Sequence, residues 1–364
     1  MGESRSQADR FRHALDVLRD AVAARTFPAA VCAVHCRGET TQFAEGRYTY
    51  EESSPAVTTE TIFDLASVSK VVATTAMAML LYDRKGLDLD APVISVVPEF
   101  RGGSGNNESR RERVNFRMLL AHSSGLPAYV RLFERAKSRD ELLAMAFSRP
   151  LEHVPDTHTE YSDIGFISLG VALERLAGES LDKFCAREIF QPLGMSDTRF
   201  CPPPDWKPRI APTADDQRFR HQIIQGEVQD ENASVMGGVA GHAGVFSTAA
   251  DVSRFARGIL NGGAPLFRPE TVKLFTTRQT HPADTSRALG WDTPSAPSQS
   301  GQFFSARAFG HLGYTGTSLW VDPERDLAVT LLTNRTWPDC SSQAIKQVRP
   351  KFHDAVVKAL GGAA

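Results

Sequence analysis

The sequence carries no C-x-x-C pair, no H-E-x-x-H, no G-x-S-x-G elbow and no G-x-x-x-x-G-K-[ST] loop. Nothing in it therefore points to a zinc site, an α/β-hydrolase nucleophile or a nucleotide-binding loop, and no metal or other cofactor is expected. No apolar run approaches the roughly 20 residues that span a bilayer. The N-terminal stretch GESRSQADRFRHALDVLRDAVAARTF sets apolar residues at helical spacing among many charges. That is an amphipathic helix, without the unbroken apolar core of a secretory signal. An excess of charge of one sign is missing too. With 41 Lys+Arg against 43 Asp+Glu, the net charge of −2 sets up no global field toward nucleic acid or anionic membrane. Cysteine is sparse and odd in number, five in 364 residues, which reads as reduced thiols in a cytoplasmic protein. Cys32 and Cys36 fall on one face of an expected strand, as small core residues.

What remains is an ordinary globular composition, 41% hydrophobic and 23% charged, long enough for one large or two closely packed domains. After the first helix, AAVCAVHCRGETTQFAEGRY reads as two strands around the turn at Arg37-Gly38-Glu39. A long helical pattern follows from Ser67 and stops at Lys85-Gly86, with glycine as the terminal signal. Residues 101–113 are polar and glycine-rich, an expected exposed loop. From about 116 to 200 most segments have helical period, and 202–235 read as an irregular excursion rich in proline and polar residues. Thr248, with Asp251 three residues on, opens another helix. RALGWD, FFSARAFGHLGY, TSLWVDP and DLAVTLLTNR then carry strand-type residues, the last buried on both faces. A final helical pattern is interrupted by Pro350. Strands at both ends with helices between predict an α+β fold in which one antiparallel sheet is built from both termini. The expected organisation is a discontinuous sheet-and-helix domain (1–75 and 245–364) with an inserted mostly helical subdomain (76–244), the site lying between them.

The most informative stretch is FDLASVSKVVATTAMAMLLYDRKG, with Ser67 and Lys70 three residues apart. That spacing puts both on one face of a helix. A serine hydroxyl is a poor nucleophile until a base takes its proton, and a lysine serves if burial and the positive helix end lower its pKa. The helix start also aims free N–H groups at a carbonyl under attack. The spacing alone is weak, since S-x-x-K arises by chance on the order of once in such a chain. Ser180-Leu-Asp-Lys183 is a second instance, and there Ser180 reads as a helix cap. The plain alternative for Ser67 is the same cap.

Two further motifs follow in order: Tyr161-Ser162-Asp163 at a loop-to-helix junction and His311-Leu312-Gly313 ahead of the last strands. With HSSGLP (from His122), GGVAGHAGVFST (from Gly237) and GTSLWVDPERDLAVTLLTNR (from Gly316), the chain resembles the serine β-lactamase and penicillin-binding-protein superfamily from about residue 15 to 360. The likeness is to the class C β-lactamase-like branch, which includes family VIII carboxylesterases. The resemblance implies a sheet–helix domain facing a helical one. It implies Ser67 as the acylated nucleophile, Lys70 as its partner, and Tyr161 as the proton shuttle to the leaving group. By the same match the backbone N–H groups of Ser67 and Tyr314 form the oxyanion hole, and Asp163, His311 and Gly313 face the substrate.

Two positions depart from the β-lactamase pattern. Asp163 stands where an amide is usual, and a carboxylate beside Lys70 favours the ammonium and helps a tyrosine phenolate instead. His311 stands where penicillin-binding enzymes carry a lysine, so a fixed cation for substrate carboxylates is replaced by a mostly neutral imidazole. The expected function is a metal-free serine hydrolase acting through an acyl-enzyme on a small-molecule ester, amide or β-lactam, carboxylesterase-like in balance. A D-alanyl-D-alanine peptidase or weak β-lactamase is the alternative among enzymes. A non-catalytic module binding peptides or cell-wall fragments is the alternative of another class. His122 and His242 are expected to be structural.

Overall fold

A computed structural model describes residues 7–102, 106–283 and 285–361. Five antiparallel strands make the main sheet: β1 (Ala29–Cys36), β2 (Glu39–Gly46), β3 (Phe309–Leu312), β4 (Ser318–Asp322) and β5 (Leu327–Thr333). Their spatial order is β2-β1-β5-β4-β3. The N-terminal hairpin thus meets the C-terminal strands along β1 and β5, in register from Ala30 opposite Thr333 to Cys36 opposite Leu327. Five helices frame the sheet and the site: α1 (Arg12–Ala23), α2 (Ala76–Asp83), α3 (Asp163–Ala177), α4 (Ala249–Leu260) and α5 (Ile345–Ala359).

Strand alternation distributes the core between the two sheet faces. Ala30, Cys32, Val34, Val329 and Leu331 pack toward α1 and α5. Ala29, Val31, Ala33, Ala328 and Leu332 point the other way, into the large core that holds α2, α3 and α4. Every residue of β5 is buried, as its continuous apolar run predicts. The expected α+β class with one sheet drawn from both termini is the fold observed.

Several local expectations need correction. Within 101–113, Asn106–Arg111 is helical, and Arg111 is buried. Its guanidinium donates to the carbonyls of Phe100 (2.8 Å) and Arg149, which explains a charge inside the fold. Residues 103–105 of that stretch lie outside the described residues. RALGWD is not a strand. It turns at Gly290, where φ is +84° and an added Cβ would lie 2.0 Å from Thr75 Oγ1. Only Asp292 joins the sheet edge, by paired 2.8 Å bonds with Gly310. Pro350 does not interrupt α5, which runs through it. The left-handed residue ending α2 is Lys85 (φ +59°), one position before the glycine that signals it. Ser180 does stand at the N-cap of a helix, but its hydroxyl makes no capping hydrogen bond, and the N–H of Leu181 goes to Glu174 Oε1 (3.0 Å).

Candidate active site

Ser67 sits in a single 3-10 turn (Ala66–Val68), followed by a π-helical turn (Lys70–Thr75) that runs into α2. The residue before the serine, Ala66, has φ +46°, a left-handed conformation that costs a side-chain-bearing residue free energy. Asp64 holds it there: its Oδ1 accepts from the Ala66 N–H at 2.8 Å, and its Oδ2 from the Gln229 N–H at 2.6 Å. Burial pushes the Asp64 carboxyl up from 3.8 to about 6, although both backbone donors favour the ionised form.

Lys70 is fully buried behind the serine. Its Nζ donates to Ser67 Oγ and to the His242 carbonyl, each at 3.0 Å, and pairs with Asp163 Oδ1 at 2.6 Å. Burial pulls the lysine pKa down, but Asp163 and Tyr161 outweigh it and hold Lys70 above its ordinary value. The His242 carbonyl reaches Lys70 because Gly241 lies against α3 at Gly170, where a Cβ on Gly170 would sit 2.8 Å from the Gly241 Cα.

Asp163 opens α3, which Ser162 caps through the Gly165 N–H at 2.9 Å. Tyr161 therefore enters the site from a fixed helix start, with Lys70 Nζ 4.9 Å from its ring centroid. Burial raises the Tyr161 pKa, Lys70 opposes, Asp163 adds to the rise, and the net direction is up. A resting phenolate is thus disfavoured, against the expectation drawn from Asp163. His122 stands behind the tyrosine, its ring centroid 4.6 Å from that of Tyr161 and 5.0 Å from that of Phe166. Its Nδ1 accepts from the Ser162 N–H at 3.0 Å.

The opposite wall comes from the end of β3. Gly313 fits because a Cβ there would meet Thr317 Oγ1 at 1.9 Å and the Leu65 carbonyl at 2.5 Å. The two chain segments are laced together by Thr315 Oγ1 to the Asp64 carbonyl and Thr317 Oγ1 to the Leu65 carbonyl, both at 2.8 Å. The buried guanidinium of Arg349, from α5, donates to the carbonyls of Gly313, Gly316 and Thr317 at 2.6–3.2 Å. Among the described residues, neither the Ser67 N–H nor the Tyr314 N–H finds a backbone acceptor.

His311 is buried, and its Nδ1 lies 2.8 Å from the Leu312 carbonyl. A carbonyl only accepts, so Nδ1 carries the proton and Nε2 is left as an acceptor with no partner. Burial, then Lys70 and Arg287, hold the imidazole pKa well below its ordinary value, so the ring is neutral. Ser67, Tyr161, Asp163, His311, Gly313 and Tyr314 all line one cavity of about 1520 Å3, with Lys70 just behind. The fold brings every sequence-selected residue to this place.

Arg287 is a residue that sequence reasoning missed. It lines the same cavity, its guanidinium 5.2 Å from the Tyr161 ring centroid. Its ion pair with Asp292 is long, 3.7 Å, and that carboxylate also accepts from Ser286 and Thr293. Its signal lies in RALGWD, a segment whose composition reads as a strand. His242 is a scaffold residue in part: its Nε2 lies 2.8 Å from Asp230 Oδ1, while its carbonyl serves Lys70.

Comparison with known proteins agrees with this geometry. The β-lactamase family profile matches residues 15–348. The chain belongs to the β-lactamase family. An N-acetylmuramyl-L-alanine amidase of Bacillus subtilis is 33% identical over 343 residues, covering 85% of this chain and 77% of the relative. A putative D-alanyl-D-alanine carboxypeptidase of Escherichia coli K12 is 32% identical over 311 residues, covering 78% and 71%. Among solved structures, EstCE1, a hydrolase with promiscuous acyltransferase activity, superposes with TM-score 0.78 at 22% identity over 96% of this chain and 100% of that one. A class C β-lactamase from Rhodobacter sphaeroides gives 0.74 at 21% identity, over 95% and 99%. These two share the fold. As a member of the β-lactamase family the chain is a serine hydrolase. Among the described residues, no helix is long and apolar enough to cross a membrane.

Proposed function

We propose that the chain hydrolyses an ester or amide through an acyl-enzyme on Ser67. The observation that carries this is the 3.0 Å bond between Ser67 Oγ and a fully buried Lys70 ammonium paired with Asp163. In this reading Lys70 passes one proton to Asp163 as it takes the serine proton, so it never has to persist as a free amine in a site that favours its charge. The alkoxide attacks the carbonyl, and the oxyanion rests on the Ser67 and Tyr314 N–H groups. Tyr161 protonates the leaving group and is reprotonated from Asp163 through Lys70. Water then repeats the sequence on the acyl-enzyme. His122 positions Tyr161, and Asp64 positions the Ser67 turn.

The esterase preference rested on the missing cation at His311. Arg287 favours a second reading, in which the acyl donor carries a carboxylate, because it supplies a guanidinium to the same wall. The names of the amidase and carboxypeptidase relatives point the same way. The cavity, at about 1520 Å3, exceeds the space a drug-sized ligand fills and suits an extended leaving group. The neutral Nε2 of His311 then accepts a hydrogen bond from a substrate N–H or O–H.

A fluorophosphonate tests the central claim. Peptide mapping should find the phosphonyl group on Ser67 alone, and label on Ser69, Ser123 or Ser180 would sink it.

A further inference from the structure

No metal-binding pattern exists in the sequence, yet two histidines and a carboxylate meet in the fold. His153, His158 and Glu160 lie on the loop that delivers Tyr161. One ligand atom from each falls within 4.8 Å of the other two. The two imidazole centroids are 4.3 Å apart, and His158 Nε2 is 3.7 Å from Glu160 Oε2. No other such trio of His, Cys, Asp or Glu occurs among the described residues.

The loop is anchored at both ends and in the middle. The N–H groups of Glu152 and His153 donate to the Gly125 carbonyl (2.8 and 3.3 Å), that of Asp156 to Ser123 (2.8 Å), and that of Glu160 to His122 (2.9 Å). Inside it, the N–H and hydroxyl of Thr157 both reach the Val154 carbonyl, at 3.2 and 2.7 Å. The backbone is therefore fixed before any ligand arrives, which lowers the entropy cost of closing a site.

Two imidazoles and one carboxylate are a donor set for a borderline divalent ion such as Zn2+, whereas Mg2+ and Ca2+ prefer oxygen alone. A tetrahedral ion with bonds of about 2.0–2.2 Å holds its ligand atoms about 3.3–3.6 Å apart, so small side-chain rotations close the trio. His158 is exposed, so the trio lies at the surface where an ion can reach it. We propose that His153, His158 and Glu160 form a Zn2+-type transition-metal site that pins the Tyr161 loop. None of the three lines the substrate cavity, so the ion is a clip and not a catalytic group. Its link to the site runs through Glu160, which directly precedes Tyr161, and through His122, whose carbonyl holds Glu160 while its ring packs against Tyr161.

The test is equilibrium dialysis of the full chain against micromolar Zn2+, with metal analysis, competition by a chromogenic chelator and thermal melts. One ion per chain is expected, with a higher Tm in its presence. His153→Ala and His158→Ala should each weaken binding by at least about tenfold, the smallest loss usual even for a group that only orients a ligand. Glu160→Gln should weaken it too. Retained hydrolysis without metal shows that the variants fold. Cys201→Ser and Cys340→Ser, which remove the exposed thiols, should change nothing. Absence of stoichiometric Zn2+, or binding that survives both histidine substitutions, overturns the proposal.

Discussion

On the Ser67 side of the cavity, Lys70 donates to Ser67 and to the His242 carbonyl and pairs with Asp163, and Asp64 accepts two backbone N–H groups. On the β3 side, His311 Nε2 is buried without a partner, and the Tyr314 ring is 47% exposed at the rim. A network centred on a buried ammonium, held by two hydrogen bonds and an ion pair, is rigid, which suits chemistry that repeats on every substrate. An unsatisfied buried acceptor costs free energy in the empty site and recovers it when a ligand donor arrives. The first wall is organised around a reaction, and the second around a substrate.

The comparison predicts that damage to the Ser67 wall costs most. Lys70→Ala and Tyr161→Phe should each lower kcat by about two to four powers of ten while the fold survives, the range for losing a proton-transfer group. Stopped-flow acylation with a nitrophenyl ester measures this directly. Near-wild-type rates in Tyr161→Phe would remove the tyrosine from the proton path.

A smaller effect concerns stability. The Asp64 pKa is about 6 in the fold against 3.8 ordinarily, so its protonated form is the one the fold prefers. Its contribution is therefore complete below about pH 4 and fades as pH rises through about 6, by roughly 3 kcal/mol at most. Asp64→Asn removes that titration and leaves an amide facing a backbone donor, at a cost of about 1–3 kcal/mol. Urea unfolding of both proteins should show wild type ahead at pH 4 and the gap narrowing toward pH 7. A gap that is constant or widens would mean that the two N–H donors outweigh burial and Asp64 is ionised.

The smallest effects should lie on the recognition wall, as changes in preference. Arg287→Ala should reduce kcat/KM for carboxylate-bearing substrates relative to neutral esters by about tenfold or more, and His311→Lys should move the same ratio up, each within roughly 1–3 kcal/mol. An unchanged ratio in Arg287→Ala would show that the guanidinium serves the Tyr161 ring alone.

The two walls also differ in how far the sequence revealed them. Ser67 and Lys70 are three apart on one turn, so their meeting follows from local geometry. The alternating core of β1 and the unbroken apolar run of β5 likewise fixed a central strand pair, because strand period and burial are local patterns. Tyr161, His311 and Tyr314 emerged only as motifs of a resemblance, since nothing in their own neighbourhoods specifies what they face. Arg287 went unnoticed because a glycine turn at 290 looked like a strand, and the contact with Thr75 that requires the turn is more than 200 residues away in the chain. The direction of proton affinities was out of reach for the same reason. Whether Lys70 is charged depends on how burial and the Asp163 carboxylate balance, and both arise from packing between distant segments. Sequence by itself determined most of the helices, the central strands and the serine–lysine turn, which short-range periodicity encodes. Only tertiary structure decided which charges share a cavity, which donors stay free and which histidines meet, because those are properties of distances between segments that the chain order does not contain.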